Sequence, residues 1–413
     1  MKINNFKKIL LSAFLAGSSS IAFSADLFSL AIDVNGATQK EAFSSAKDLL
    51  DRFNNNGFQS IQNSYTDTSA SIATIDYRSL PVLITTATNS QDVTLTINSI
   101  GFTKTFTGLT RNSSFTSLRN FFKTDGGEII ARMQKKLAEV SPVDPVAGNP
   151  NSLESTMASG SFDQAFTQPS SKIQTVSAAA SSSRSNGLVA LGLRFGQYSQ
   201  QGLTSQSLTL PLSYTYRSFE KGGQLSINMP LTYGSVSSSA GTAKTAQVGL
   251  GVAFRQPITN QWALTPAINV AVSGSIDLGS VAAMQSFSLT SQYSFNHEGY
   301  DISIGNMVGL YNTLKIQTKD YSYDPRIKNT IYRNGIMVSH PISLLAQKDL
   351  ALEVSFINTQ FTGSELYNKW TNELGITLGT SKSSSRPSYL RAGLTLLQGQ
   401  KSHGVSANIG YWF

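Results

Sequence analysis

The sequence predicts an α+β multidomain chain, in which a small α/β domain precedes a C-terminal transmembrane antiparallel β-barrel of about twelve strands. Three observations predict this. The last residues form one strand pattern with an apolar face, the C-terminal half repeats that pattern in segment after segment, and the N-terminal half mixes helical with extended patterns.

The final segment, residues 404–413, alternates apolar and polar side chains with the period of two that an extended strand requires. Its apolar face carries Val405, Ala407, Ile409, Tyr411 and Phe413. A soluble chain gains little from ending on an aromatic residue, because exposed termini fray. The segment therefore favours a strand whose apolar face meets lipid, and the alternative is an edge strand of a soluble sandwich.

Residues 187–413 repeat this alternation in about twelve segments that are separated by turns. Alternating runs of this length suit membrane strands of about 9–11 residues better than soluble strands, which average about 5–6. An even strand number returns the chain to its starting side, normally the periplasm, so the long connection at residues 315–328 should face outward. Merging one hairpin would give ten strands. Pro211 and Pro230 lie in mid-strand and predict a local break or bulge.

The ending resembles the C-terminal strand of bacterial outer-membrane β-barrels, in which a terminal Phe, a Tyr and an aliphatic residue are read by the insertion machinery. Phe413, Tyr411 and Ile409 match that pattern. The resemblance implies a location in the cell outer membrane, with lipid, lipopolysaccharide and the barrel-assembly machinery as partners. Size, strand count and domain order also resemble autotransporter proteins, whose barrel carries an N-terminal passenger to the cell surface.

On the predicted register, six charged residues point into the lumen of the barrel. They are Arg194, Arg255, Arg333, Glu353, Glu373 and Arg391. A charge that faced the hydrocarbon midplane would cost roughly 2–4 kcal/mol, so an inward position is the favoured one. These residues could line a pore, or they could pair across the lumen and brace it.

Residues 1–24 have the order of a secretory signal peptide, in which lysines precede a short apolar run and a small-residue segment. The apolar run is too short to span a bilayer as a helix, which takes roughly 20 residues. The sequence therefore predicts export. It contains no cysteine, which excludes disulfides and thiol chemistry.

Residues 25–140 predict the small α/β domain. A strand over residues 27–34 precedes a helix over residues 39–53 that Thr38 can cap, and extended segments lead to a second helical region near residues 113–140.

Residues 141–186 predict a linker, because proline interrupts the first part and serine and alanine dominate the last. Pro150 can open a short helix whose apolar side carries Leu153 and Met157. A helix just before the barrel resembles the segment that threads the pore of autotransporters. The alternatives are a helix packed on a periplasmic surface or a tether.

Catalytic chemistry has little support in the sequence. The chain has 3 histidines, His297, His340 and His403, and contains no Gly-x-Ser-x-Gly motif. We therefore predict no enzyme activity, catalytic residue, metal site or cofactor. The net charge of +8 has no basic stripe with interleaved aromatic residues, so we predict no nucleic-acid partner.

Three functions remain open. The first is an autotransporter-like translocator that anchors or exports its N-terminal domain. The second is a narrow outer-membrane channel for small solutes with a periplasmic N-terminal domain. The third is a surface adhesin or receptor whose extracellular loop presents Lys319, Tyr321, Tyr323 and Arg326 to a ligand.

Overall fold

The computed structural model describes residues 25–167, 187–216, 222–317, 322–344, 347–380 and 389–413. The predicted signal peptide lies outside these ranges. Among the described residues, no helix combines the length and the apolar run that crossing a membrane would require.

The N-terminal domain is built on one antiparallel sheet with the strand order β2-β1-β3-β4-β5-β6. Its strands are β1 (Phe28–Val34), β2 (Ala37–Phe43), β3 (Ser71–Tyr77), β4 (Leu80–Thr86), β5 (Val93–Ile97) and β6 (Phe102–Phe106). Its helices are α1 (Ala46–Asp51), α2 (Asn55–Ile61), α3 (Arg111–Lys123) and α4 (Gly127–Val140). Apolar side chains of the sheet and helices share one buried core.

The predicted helix over residues 39–53 is wrong in its first half, which forms strand β2. Asn35 and Gly36 both adopt positive φ, 54° and 83°, in the turn between β1 and β2. This is the backbone that an Asn-Gly hairpin prefers, and the hairpin carries the following residues into the sheet. Helix α1 starts only after Ser45, whose side chain caps it by accepting from Asp48 N.

The C-terminal half is a closed antiparallel barrel of twelve strands, so the predicted fold class is confirmed and the ten-strand alternative is wrong. Its strands are β7 (Gly187–Gln200), β8 (Leu203–Tyr216), β9 (Gln224–Ser238), β10 (Gly241–Pro257), β11 (Trp262–Ser275), β12 (Ser280–His297), β13 (Tyr300–Leu314), β16 (Lys328–Leu344), β17 (Gln347–Gly363), β18 (Trp370–Thr380), β19 (Tyr389–Gly399) and β20 (His403–Trp412). Two short strands, β14 (Ile316–Gln317) and β15 (Ser322–Tyr323), form a hairpin in the connection between β13 and β16.

The predicted register of the barrel is confirmed by the exposure of its apolar side chains. Every one of the twelve strands presents large apolar residues on its outer face, for example Leu191 on β7, Val270 on β11 and Ile376 on β18. Polar and small side chains fill the inner face. Closed hydrogen bonding with an apolar exterior is the arrangement that lets strands cross a bilayer.

The predicted break at the two prolines is present in the strand pairing. Pro211 and Pro230 lie directly opposite each other on β8 and β9. The regular pairing of β8 with β7 is interrupted at Gly192, and the regular pairing of β9 with β10 is interrupted at Gly249. The proline rings lie close to these glycines, which leave room for them.

We call the two ends of the barrel the upper and lower rims. The upper rim carries the connections that follow β7, β9, β11, β13, β17 and β19, and the lower rim carries Gly187, where β7 begins, and Phe413, the last residue. The N-terminal domain rests on the upper rim, and helix α5 (Leu153–Phe166) lies inside the barrel.

Candidate functional site

Helix α5 occupies the lumen because its side chains fit the inner wall. It starts at Leu153, where Ser152 caps it, rather than at Pro150 as the sequence suggested. Phe162 and Phe166 pack against two wall glycines, Gly305 on β13 and Gly335 on β16. The helix therefore threads the barrel, and the alternatives of a periplasmic surface helix and a tether are excluded.

Polar contacts fix the upper end of this helix to the wall. The side chain of Asn151 donates to Ser205 Oγ at 3.1 Å and accepts from Ser207 Oγ at 2.8 Å. Gln247 Nε2 on β10 donates to the Asn151 carbonyl at 2.8 Å. On the other side, Asn329 Nδ2 of β16 donates to Glu154 Oε1 at 2.6 Å.

The lumen charges pair with one another and with the helix. Arg333 donates to both carboxylate oxygens of Glu373, at 2.9 and 3.2 Å, and its guanidinium lies 5.3 Å from the ring centre of Phe162. Arg194 approaches Asp163 of the helix at 3.7 Å.

The other three lumen charges also have partners inside the barrel. Arg391 forms an ion pair with Glu353. Arg255 lies nearer the lower rim, where it donates to Gln292 Oε1 at 3.3 Å.

A cavity of about 340 Å³ remains beside the helix. The helix packs on the wall formed by β10 to β13 and β16. Five of the predicted lumen charges line the cavity, namely Arg194, Arg333, Glu353, Glu373 and Arg391. Because both signs are present and paired, the cavity wall has no net preference for one sign of solute.

The predicted insertion signal lies on the outer face of the barrel. Ile409, Tyr411 and Phe413 are all exposed, and the rings of Tyr411 and Phe413 stack with centres 5.3 Å apart. Phe413 also exchanges two backbone hydrogen bonds with Val189, so the seam between β20 and β7 closes to the last residue.

Of the four residues predicted to present a ligand-binding surface in the connection between β13 and β16, the structure describes Tyr323 and Arg326. Lys319 and Tyr321 lie outside the described residues. Arg326 is exposed and close to Asp324, at 3.5 Å. Tyr323, however, is only 3% exposed, because the hairpin that carries it packs against helix α4. The prediction that Tyr323 is presented to a ligand is therefore wrong.

The upper rim continues the core of the N-terminal domain. Leu203, Val236 and Leu278 of the rim belong to the apolar cluster of that domain. Ala46 N donates to the Asp277 carbonyl at 2.7 Å, and Tyr77 donates its hydroxyl to the Leu278 carbonyl at 3.2 Å. The domain is thus docked, and the sequence offered no signal that identified these rim residues.

Residues 141–149 link the domain to the helix and are buried throughout. Within them, the Asp144 carboxylate accepts from Arg78 Nη1 at 3.2 Å and from Gln134 Nε2 at 2.6 Å. Both side chains of the Arg78–Asp144 ion pair are fully buried. Burial raises the pKa of the Asp144 carboxyl, and the Arg78 guanidinium opposes that shift.

Two of the three histidines, His297 and His340, lie beside the same residue, Tyr300, at the lower rim, and the third, His403, lies at the other end of the barrel. His297 ends β12 at the lower rim, His403 begins β20 at the upper rim, and His340 stacks on Tyr300 on the outer surface, with ring centres 4.5 Å apart. Within the described ranges, no group of three or more His, Cys, Asp or Glu side chains could hold a metal ion.

No protein-family model and no curated protein matches this chain. Among solved structures, the beta domain of the Bordetella autotransporter BrkA is 15% identical, with a TM-score of 0.42 over 55% of this chain and 99% of that one. The translocator domain of autotransporter NalP from Neisseria meningitidis is 12% identical, with a TM-score of 0.41 over 58% and 92%. An outer membrane channel from Pseudomonas putida F1 is 13% identical, with a TM-score of 0.38 over 57% and 97%. The similar structures include translocator domains and channels.

Proposed function

We propose that the protein is an autotransporter-like translocator of the outer membrane that carries its own N-terminal domain to the cell surface and keeps it there. The single observation that carries the proposal is the path of the chain. The domain lies at the upper rim, helix α5 passes through the lumen, and β7 starts at the lower rim.

The orientation of the barrel supports the surface location of the domain. Outer-membrane barrels of even strand number keep both chain ends in the periplasm and place their longer loops outside. Here Gly187 and Phe413 lie at the lower rim, and the long connection between β13 and β16 lies at the upper rim. In that orientation the domain is outside, whereas a channel with a periplasmic domain would have it at the lower rim.

The docking of the N-terminal domain on the upper rim supports its retention on the barrel rather than its release from the cell. Its core continues into rim residues such as Leu278, and its link to the helix is buried. A protease would therefore have little access to the link. We include lipid, lipopolysaccharide and the barrel-assembly machinery as partners in this proposal, and we propose no catalytic role.

An open solute channel receives less support from the same structure. Helix α5 fills one side of the lumen, and the charges on the other side pair with each other and with the helix. A surface adhesin role is compatible with anchoring, but the buried position of Tyr323 weakens the loop that suggested it.

Protease shaving of intact cells tests the proposal. An epitope tag is inserted at Asn35–Gly36, an exposed hairpin turn of the domain, and a matched tag at Glu298–Gly299, an exposed turn of the lower rim. We expect the first tag to be digested in intact cells and the second only after permeabilisation. Digestion of the first tag only after permeabilisation would contradict the proposal.

A further inference from the structure

We infer that residues 141–149 form a strap that closes the upper mouth of the barrel, and that the buried Arg78–Asp144 ion pair fastens it. A strap in this position would limit the permeability of the barrel whichever way the barrel faces. Three features support the inference: the burial of the strap, its contacts on opposite walls, and the way the domain holds it.

The burial of the strap is the first feature. A segment with two prolines and a glycine within nine residues would ordinarily remain solvated as a linker, because its backbone groups lack regular partners. Here its backbone finds partners. Val146 N and Ala147 N donate to the Asp144 carboxylate at 2.9 and 3.2 Å, and the Gly148 carbonyl accepts from Asn368 N at 3.1 Å.

The second feature is that the chain crosses the mouth from one wall to the opposite one. Gly148 binds Asn368 in the connection between β17 and β18. Asn151, three residues later, binds β8 and β10. In the closed order of strands these attachments lie about half a circumference apart. Pro150 and Asn151 are part of the lining of the lumen cavity, so the crossing lies directly above it.

The third feature is that the fastening joins four separate parts of the molecule. Arg78 belongs to the turn between β3 and β4, Gln134 to helix α4, Asp144 to the strap and Ser280 to β12 of the barrel. Ser280 Oγ donates to Gln134 Oε1 at 2.6 Å, and Gln134 in turn donates to Asp144. The domain therefore holds the strap, and anything that lifts the domain from the rim also frees the mouth.

Gly148 shows how closely the strap is fitted. Its φ of +89° is a conformation that other residues rarely adopt, and an added Cβ would lie 2.3 Å from the Ala138 carbonyl oxygen. Substitution at this position should displace the strap without altering any charge.

Single-channel recording on the purified full-length protein in planar lipid bilayers tests the inference. The test variant is Asp144→Asn, which leaves the Arg78 guanidinium buried without its counter-ion. Loss of one partner of a buried pair corresponds to a shift on the order of 100-fold in population, and we expect open events to become more frequent by about that factor. Asp51→Asn, which breaks the exposed Lys47–Asp51 pair, is the matched control and should leave the trace unchanged.

Thiol labelling measures the solvent accessibility of the strap directly. The chain has no cysteine, so Ala147→Cys introduces a single thiol at a fully buried strap position. We expect this thiol to resist a hydrophilic maleimide in the otherwise native protein and to react when Asp144→Asn or Gly148→Ala is added. Heat-dependent gel migration identifies folded barrels in every sample.

The recordings and the thiol labelling together distinguish a closed mouth from an open one. If folded Asp144→Asn and Gly148→Ala proteins both stay closed and leave the thiol of Ala147→Cys protected, the inference is wrong. If Asp144→Asn fails to fold, Gly148→Ala carries the test alone. Because these recordings use purified protein, they are independent of the tag experiment, and failure of the surface location would leave this result standing.

Discussion

The close packing of helix α5 against β13 leads to a specific prediction about stability. Gly305 allows Phe166 to approach the wall so closely that an added Cβ would lie 2.5 Å from Phe166 Cδ2. Real Cβ atoms do not approach so near, so Gly305→Ala must displace the ring, and Phe162 next to it, or unseat the helix. Overpacking of this kind typically costs about 1–3 kcal/mol in free energy of unfolding.

A double-mutant cycle assigns that cost to the contact. In a background that carries both Phe162→Ala and Phe166→Ala, the two rings that crowd the Gly305 position are removed, so Gly305→Ala should then cost close to nothing, and the coupling energy should equal most of the single-variant cost. The free energy of unfolding is measured by urea titration of protein that refolds into lipid vesicles.

The matched control is Gly274→Ala, in a strand position with open space around its Cα, where we expect little change in stability. If Gly305→Ala remains costly after both rings are removed, the rings do not occupy the position beside β13 and the reasoning about the seated helix is refuted.

Other predictions follow from single contacts. Glu373→Gln leaves Arg333 without its buried counter-ion and should lower the free energy of unfolding by about 3 kcal/mol in the same urea assay, while the conservative change Thr371→Ser should not. Phe413→Ala should reduce the amount of folded barrel in the outer membrane, judged by heat-dependent gel migration of membrane fractions, without preventing refolding of purified protein into vesicles. Gly160→Ala, at a helix position with nothing within 4 Å of the added Cβ, should raise stability by about 0.4–1 kcal/mol. A lower stability in that last variant would indicate a tighter lumen than the structure has.

The barrel could be predicted from the sequence because its pattern is local. Alternation with a period of two fixes which side chains of a strand face lipid, and the same alternation places Arg333 and Glu373 inside. Their pairing was one of two open alternatives. It depends on which strands come together across the closed sheet, and a single strand carries no information about that.

The N-terminal half was harder for the same physical reason. Residues 39–53 contain apolar positions at helical spacing. The Asn35–Gly36 turn nevertheless reverses the direction of the chain, so that the first residues of this range form strand β2 instead of a helix. The exposed position predicted for Tyr323 was wrong for another reason. Its polar neighbours in the sequence predicted an exposed loop, whereas packing against helix α4 buries the side chain. Both errors arise where tertiary contacts override a local pattern.

The buried position of the strap could not be predicted from the sequence. Prolines at residues 142, 145 and 150 predict a solvated linker, and nothing in the spacing reveals that Asp144 meets Arg78, which lies far away in the chain. A lone buried carboxylate is costly, so its partner is what makes the strap's position possible.

The proposed translocator function would bring the N-terminal domain to the upper rim through the lumen, and the dimensions of the lumen limit the form in which the domain could cross. A folded domain of this size has a radius of gyration of about 13 Å. A single helix with side chains has a diameter of about 10–12 Å and already fills one side of the lumen. Under the proposed function, the domain would therefore cross in an extended form and fold on the far side, and a chain without cysteine contains no disulfide that would prevent this.

A disulfide between neighbouring strands tests that requirement. Ala31 on β1 and Thr74 on β3 are directly paired and far apart in sequence, so Ala31→Cys with Thr74→Cys would close a long loop once the strands met. Oxidised in the periplasm, this loop is too wide to thread, and we expect the Asn35–Gly36 tag to disappear from the surface and to return when cells grow with a reductant. Each single-cysteine variant is the control and should be exported normally. Surface display of the oxidised protein at the usual level would mean that the folded domain does not travel through this lumen.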